Sequence, residues 1–362
     1  MTALIVLAIL VLLIVIHELG HFAAAKFFKV RVEEFGVGYP PRAFSFGKWG
    51  GTEYTLNWIP FGGFVRLWGD EGEGQHGKGS LVDANRGVQA IILVAGVAAN
   101  AVLGWVLFTV ALHMGIPRVV TDVAPEENVR LIVAEVVAGS PAAAAGLQAG
   151  DEILGLSDEL GSSLTKLNPT LFAEFTSERA GRSIELEYKR GDVFDTVTII
   201  PAHAVIPDRA GQPAVGVAIA SVVERQLPWG EAAVEALRST KNAILSVAQG
   251  LWSIAERALH GESALAGIVG PIGLVQVVGS AADTGIASVL ALAGFISVNL
   301  AVINLIPIPA LDGGRLLLLG FETVLRRGAP RLAVQLLNAI GVGLIVLLMI
   351  VVTYNDILRL LA

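Results

Sequence analysis

The stretch VIHELGHF, Val15–Phe22, closes an N-terminal run, Met1 to Ile16, that contains no charged residue. A glutamate in such a run costs on the order of 3 kcal/mol to insert into lipid, so its presence asks for a use. In a helix, His17 and His21 lie four residues apart on one face. Two imidazole nitrogens can there reach one cation while Glu18 projects beside them. That is zinc-ligand spacing. In a chain of this length with this many His and Glu, a chance His-Glu-x-x-His is expected only about 0.006 times. The competing reading, two packed histidines beside a solvent-facing glutamate, suits a soluble helix but not this one.

Working outward, hydrophobic residues make up 54% of the chain and charged residues 16%, outside the usual soluble range. Four more stretches lack Asp, Glu, Lys and Arg: Gly87 to Pro117, Ser263 to Ala282, Thr284 to Leu311 and Leu332 to Asn355. Each is long enough to test as a spanning helix, and the first run reaches that length if it continues to Phe28. No Lys or Arg precedes Lys26, so the positive region of a cleaved leader is missing and the first run is read as a retained span. A net charge of -7 and a pI near 5.4 argue against a nucleic-acid partner. The absence of cysteine excludes disulfides and thiolate metal ligands.

The fold class expected is a polytopic α-helical membrane protein with four transmembrane helices, a membrane-associated β-hairpin region and an inserted α+β PDZ-like domain. The spans fall at about 4–28, 88–115, 285–308 and 332–356. Twelve glycines between Gly36 and Gly79 favour turns and strands there. Within the hairpin region, about 36–69, Thr52 to Ile59 and Phe64 to Trp68 are expected to pair around PFGG, with the aromatic residues at the membrane interface. From Arg118 to Arg225 nine basic residues meet sixteen acidic ones, and a water-exposed domain is expected over 117–203. Its segment AGSPAAAAGLQAGDEILGLS, Ala138–Ser157, is similar to part of a PDZ domain. Residues 204–283 would hold a linker, an amphipathic helix over Lys241 to Leu259, and an interfacial segment around GPIG. Counting Ser263 to Ala282 as a span would make five and put the two Lys/Arg-rich loops, one from Lys26 to Arg66 and one from Arg315 to Arg331, on opposite sides; its glycines and Pro271 also disfavour an isolated helix. With four spans both positive loops are cytoplasmic, and the acidic domain and both termini are extracytoplasmic.

A catalytic zinc usually takes three protein ligands and keeps one position for water. Asp312, in NLIPIPALDGG (Asn304–Gly314), ends the third span in the same leaflet as the histidines. Taken alone, Asp312 could equally belong to a helix-ending turn. Pro307 and Pro309 break the helix just before it and free backbone carbonyls. Asn304 could hydrogen-bond a substrate or a tetrahedral oxygen, or serve helix packing, and the sequence does not choose.

With HELGHF, GTEYTLNWIPFGGFVRL, AGVAANAVLGW, GPIGLVQV, INLIPIPALDGG and YNDILRL in hand, the chain resembles the site-2 protease family of intramembrane zinc metalloproteases, of the type called regulator of sigma-E protease (RseP). The resemblance spans nearly the whole chain. It implies Zn2+ as cofactor with His17, His21 and Asp312 as ligands, Glu18 as catalytic base and Asn304 as a substrate contact. It also implies that the hairpin around Gly62, Gly63 and Phe64 pairs with an unwound substrate. The implied activity is cleavage of transmembrane segments of single-span membrane proteins, such as anti-sigma factors or remnant signal peptides, within the lipid bilayer of the bacterial inner (cytoplasmic) membrane. Two features depart from the family. Gly96, Val97, Ala98, Ala99 and Asn100 stand where it has Gly-Pro-x-x-Asn, and there is room for a single PDZ-like domain. A non-catalytic membrane-anchored PDZ scaffold with a structural metal is the alternative, but such a site has no need of Glu18. A metal transporter would carry ligands in several spans, yet Gly87 to Pro117 has only His113 and Leu332 to Asn355 has none.

Overall fold

A computed structural model describes residues 2–69, 76–119, 129–165, 167–191, 193–203, 212–260, 269–326 and 330–361. Part of the expected linker, 204–211, and the opening of the interfacial segment, 263–268, lie outside the described residues. The chain divides into two compact units, Met1–Met114 with Leu227–Ala362, and Gly115–Gln226.

The first unit begins with α1 (Thr2–Phe27), continues through strands β1 (Val32–Trp49) and β2 (Thr52–Leu67), and reaches α2 (Arg86–Met114). A Cβ on Gly20 would collide with the Ala95 carbonyl and come within 2.8 Å of the Ala99 Cβ, so α1 and α2 meet almost backbone to backbone. The β region differs from the hairpin expected around PFGG. Its tight turn is Gly50–Gly51, with φ of 59° and 81°, which suits a two-residue hairpin turn. The segments on either side of PFGG do not pair with each other. Gly63–Leu67 pairs with one side of Val32–Val37, and Glu53–Leu56 pairs with Glu34–Val37 of the same stretch. Gly62, with φ of 118°, carries the chain from one flank to the other. Inside this sheet, buried Glu34 accepts hydrogen bonds from Arg42 at 3.0 Å and Thr55 at 2.8 Å and pairs with Arg66 at 3.0 Å. Ala25, Val30, Val32, Leu67, Leu81 and Ile92 form a buried cluster that fixes the sheet to α1 and α2.

The second unit holds β3 (Ile116–Val119), β4 (Val129–Val136), α3 (Pro141–Ala144), β5 (Glu152–Asp158), β6 (Ser163–Leu164), α4 (Pro169–Ser177), β7 (Ile184–Arg190), β8 (Val193–Ile199) and β9 (Val217–Arg225). Its seven-stranded sheet runs β3-β9-β4-β5-β7-β8, with β6 paired to β5. The expected end at 203 is too early, because β9 inserts between β3 and β4 and completes the sheet. Strand β7 shows the alternation that makes a half-buried strand: Ile184, Leu186 and Tyr188 face the core, and Glu185 and Glu187 face out. Ser140 and Asn168 cap α3 and α4, each followed by proline in the first turn. Arg179 Nε donates to Asp158 Oδ2 at 2.8 Å, and its guanidinium lies 3.5 Å from the centre of the Phe175 ring.

The chain returns to the first unit with α5 (Trp229–Leu259), α6 (Pro271–Thr284), α7 (Ile286–Asn304), α8 (Asp312–Leu325) and α9 (Arg331–Leu361). Helix α5 buries Ala232, Ala236, Thr240, Ala243 and Val247, one stripe at helical spacing. It is pinned to α2 by Trp105 Nε1 donating to the Ala233 carbonyl at 2.9 Å and by His113 stacked on Trp229 at 3.9 Å. Helix α6, the GPIG segment, has 14 residues, about 21 Å of helix and too short to cross a bilayer. Buried Asp356 of α9 accepts from the Gly270 and Gly273 amides at 3.2 and 2.9 Å, placing a carboxylate at the positive end of α6. Among the described residues four helices are long and apolar enough to span a membrane: α1, α2, α7 and Leu332–Leu358 of α9. Helix α7 stops at Asn304 rather than near 308, because Pro307 and Pro309 follow.

Helices α2 and α7 cross at glycine. A Cβ on Gly294 would sit 3.2 Å from the Gly104 carbonyl, and one on Gly104 would sit 2.7 Å from Val298 Cγ2. Gly294→Leu is expected to lower the thermal midpoint in detergent by several degrees, since overpacking costs about 1–3 kcal/mol. Gly320→Ala, in open space within α8, does not lower it, since alanine is the better helix former. In the second unit, the hydrogen bond from Arg179 holds the Asp158 carboxyl below the usual carboxylate range. A depressed carboxylate stabilises the fold above its unfolded pKa of about 4 and loses that contribution as pH falls through the folded value. Acid titration monitored by hydrogen exchange of this unit should therefore show an acid-side loss of stability that Asp158→Asn reduces.

Candidate active site

His17 and His21 are both buried on the face of α1 turned toward α2. Helix α2 receives them at Gly96, where a Cβ would collide with His21 Nε2 and lie 2.8 Å from His17 Cε1. His21 Nδ1 contacts the Ile92 carbonyl at 2.7 Å. That carbonyl can only accept, so Nδ1 carries the hydrogen and Nε2 presents a lone pair. The carboxylate comes from the other half of the unit. A Cβ on Gly313 or Gly314 would overlap the backbone carbonyls of Leu305, Ile306 and Ile308, so the first turn of α8 folds directly onto the proline-broken loop. Asp312, which begins that turn, is thereby aimed back at α1.

The three groups converge on a point. His17 Nε2 and His21 Nε2 are 3.2 Å apart, and they lie 3.0 and 3.2 Å from Asp312 Oδ2. Ligands on a tetrahedral zinc at its usual bond lengths sit about 3.3 Å from one another, so this triangle has the size that a zinc ion requires. Asp312 Oδ2 is also buried without a hydrogen bond of acceptable geometry. An apolar interior penalises such an atom unless a cation meets it. Among the described residues this is the cluster of metal-ligating side chains that could hold an ion.

Around the triangle lies a pocket of about 410 Å³ whose lining includes Glu18, His21, Gly63, Phe64, Asp312 and Arg315. A Cβ on Gly63 would come within 3.1 Å of Glu18 Cγ, so the β2 backbone runs right past the glutamate. Gly62 is not in that lining and packs against the Tyr39 ring. Asn304, the last residue of α7, places Nδ2 3.4 Å from His17 Nε2. The structure therefore brings His17, Glu18, His21, Gly63, Phe64, Asn304 and Asp312 around one centre. Sequence reasoning did not single out Ile92, Tyr39 or Arg315 and left Asn100 undecided. The one signal available was an amide at Asn100, one turn past Gly96, inside an uncharged span.

The peptidase family M50 profile matches residues 5–348. A Clostridium perfringens protein assigned by name to the zinc metalloproteases is 33% identical over 350 residues, covering 96% of this chain and 95% of that protein. The zinc metalloprotease RasP of Bacillus licheniformis is 27% identical over 430 residues, covering 96% of both chains. Among solved structures, the PDZ domain of an SdrC-like protein from Listeria monocytogenes is similar over 27% of this chain and 93% of that domain, at 21% identity and a TM-score of 0.21. A paired-histidine helix, a converging aspartate and near full-length similarity to named zinc proteases lead to one conclusion: the chain belongs to peptidase family M50, the site-2 protease family, and is a zinc metalloprotease.

Proposed function

We propose that the chain is an intramembrane endopeptidase that cuts transmembrane segments of single-span membrane proteins, with His17, His21 and Asp312 holding the zinc and Glu18 acting as general base. The observation that carries this reading is the triangle of two imidazoles and a carboxylate with Glu18 beside it, reached from helices apolar enough to span a bilayer. When bound, zinc supplies Lewis acidity toward a water molecule and toward a peptide carbonyl. Glu18 accepts a proton from the attacking water and returns it to the departing amine. The Asn304 amide, beside His17 Nε2, would donate to the oxygen on which negative charge develops.

Substrate presentation follows from the sheet. A helical substrate hides its scissile carbonyls in its own hydrogen bonds and has to become extended before attack. The segment Gly63–Leu67 pairs with β1 on one side and lines the pocket with the other, so an unwound strand added to that edge would pass Glu18. The glycine at 63 keeps that passage narrow and free of side chain. The β region would rest at the membrane interface, with Phe44, Phe46, Trp49 and Trp58 exposed on it. In this reading the enzyme resides in a bacterial cytoplasmic membrane, with the PDZ-like domain and both termini outside and the Lys/Arg-rich loops inside.

The test is Glu18→Gln in purified protein with a single-span substrate in detergent. Zinc content is expected to stay at the wild-type level while cleavage falls by about 10²–10⁴-fold. Loss of zinc in Glu18→Gln would make Glu18 a ligand instead, and unchanged cleavage would end its role as base.

A further inference from the structure

Asn100 is the polar residue most deeply placed in α2, fully buried in a helix without charge from Gly87 onward. Its Oδ1 has no hydrogen-bond partner, and a buried polar atom left so costs about 1–3 kcal/mol. Its Nδ2 lies 3.4 Å from His17 Nδ1. That contact is chemically awkward. His17 turns Nε2 toward Asp312 Oδ2 and His21 Nε2, so a lone pair at Nε2 requires the hydrogen on Nδ1. An imidazole N–H and an amide NH2 would then face each other, two donors with no acceptor between them.

Exchanging the amide oxygen and nitrogen of Asn100 resolves the conflict, because the two ends of the amide have the same shape and only the hydrogen bonding distinguishes them. Oδ1 then meets His17 Nδ1–H. We propose that Asn100 is a positioning residue whose Oδ1 accepts from His17 Nδ1–H and so holds His17 in the tautomer and orientation that offer Nε2 to the metal. The proposal rests on His17 being a ligand. It makes the two histidines equivalent in design: the Ile92 carbonyl orients His21, and the Asn100 amide orients His17. Both supports come from the same face of α2, one turn to either side of Gly96, whose missing side chain lets the rings lie against the helix. Ser297 of α7 donates to the Asn100 backbone carbonyl at 2.8 Å and locks that turn in place.

The test measures zinc affinity of the full-length protein in detergent by competition with a chromophoric chelator, for wild type, Asn100→Leu, Asn100→Asp and His17→Ala. Leucine keeps the branched outline with two methyl groups and removes the acceptor; aspartate keeps the acceptor and removes the NH2. Asn100→Leu is expected to weaken zinc binding 10–100-fold, while Asn100→Asp binds at least as tightly as wild type. Wild-type affinity in Asn100→Leu, with zinc lost in His17→Ala, would overturn the positioning role alone. Retention of zinc in His17→Ala would overturn the ligand assignment beneath it. If Asn100→Leu does not fold, Asn100→Asp still decides, because weakened binding there would mean that the NH2 matters and not the oxygen. The nitrogen shifts of ¹⁵N-labelled histidine in the zinc-loaded wild type give a readout without mutation: His17 protonated at Nδ1 supports the proposal, and His17 protonated at Nε2 contradicts it.

Discussion

Two imidazole nitrogens from a helix apolar enough to span a membrane and a carboxylate oxygen from α8, held within 3.2 Å of one another, form the constraint on which the rest of the structure depends. Left to themselves such groups would separate or seek water, because the apolar surroundings give little compensation for burying them. A cation makes the arrangement favourable, and the protein in turn supplies rigid elements that keep the donors in place. Glycine does much of this. Gly20 and Gly96 let α1 lie on α2, and Gly313 and Gly314 let α8 turn back over the broken end of α7. Each position carries backbone or an imidazole ring where a side chain would stand.

The site is composite, drawn from two helices and a strand. Glu18 and the two imidazoles come from α1, the carboxylate from α8, and the wall facing Glu18 from the backbone of β2. Helices alone would leave no unpaired backbone beside the reacting groups. The sheet fixed to α1 and α2 by its apolar cluster brings the backbone of its edge segment Gly63–Leu67 to the pocket. The buried Glu34, held by two arginines and a threonine, gives this small sheet an internal brace that its few strands would otherwise lack.

Much of this was legible from residues. The charge-free runs located the helices long enough to span, and the His-Glu-x-x-His spacing singled out His17, Glu18 and His21, whereas Asp312 taken alone stayed even between ligand and turn and was chosen by the resemblance. Periodicity served well where a helix or strand is repeated over many residues. It served poorly in the glycine-rich region. There PFGG looks like a turn, but Gly50–Gly51 makes the turn and Gly62 a crossover, because pairing partners far apart in sequence decide which glycine bends the chain. The second unit's closing strand was also hidden: β9 follows a long gap after β8 and belongs to the sheet only through its pairing with β3 and β4. Asn100 was visible as an uncharged amide, but its use depends on a ring on another helix, and no local pattern in α2 encodes that contact.

The central claim is that His17, His21 and Asp312 together bind the zinc. It is tested most directly by crystallography of the purified protein with data collected on both sides of the zinc absorption edge. The account predicts one anomalous peak about 2.0–2.2 Å from His17 Nε2, His21 Nε2 and an Asp312 carboxylate oxygen. A peak bound elsewhere, or one that leaves out Asp312, would contradict it.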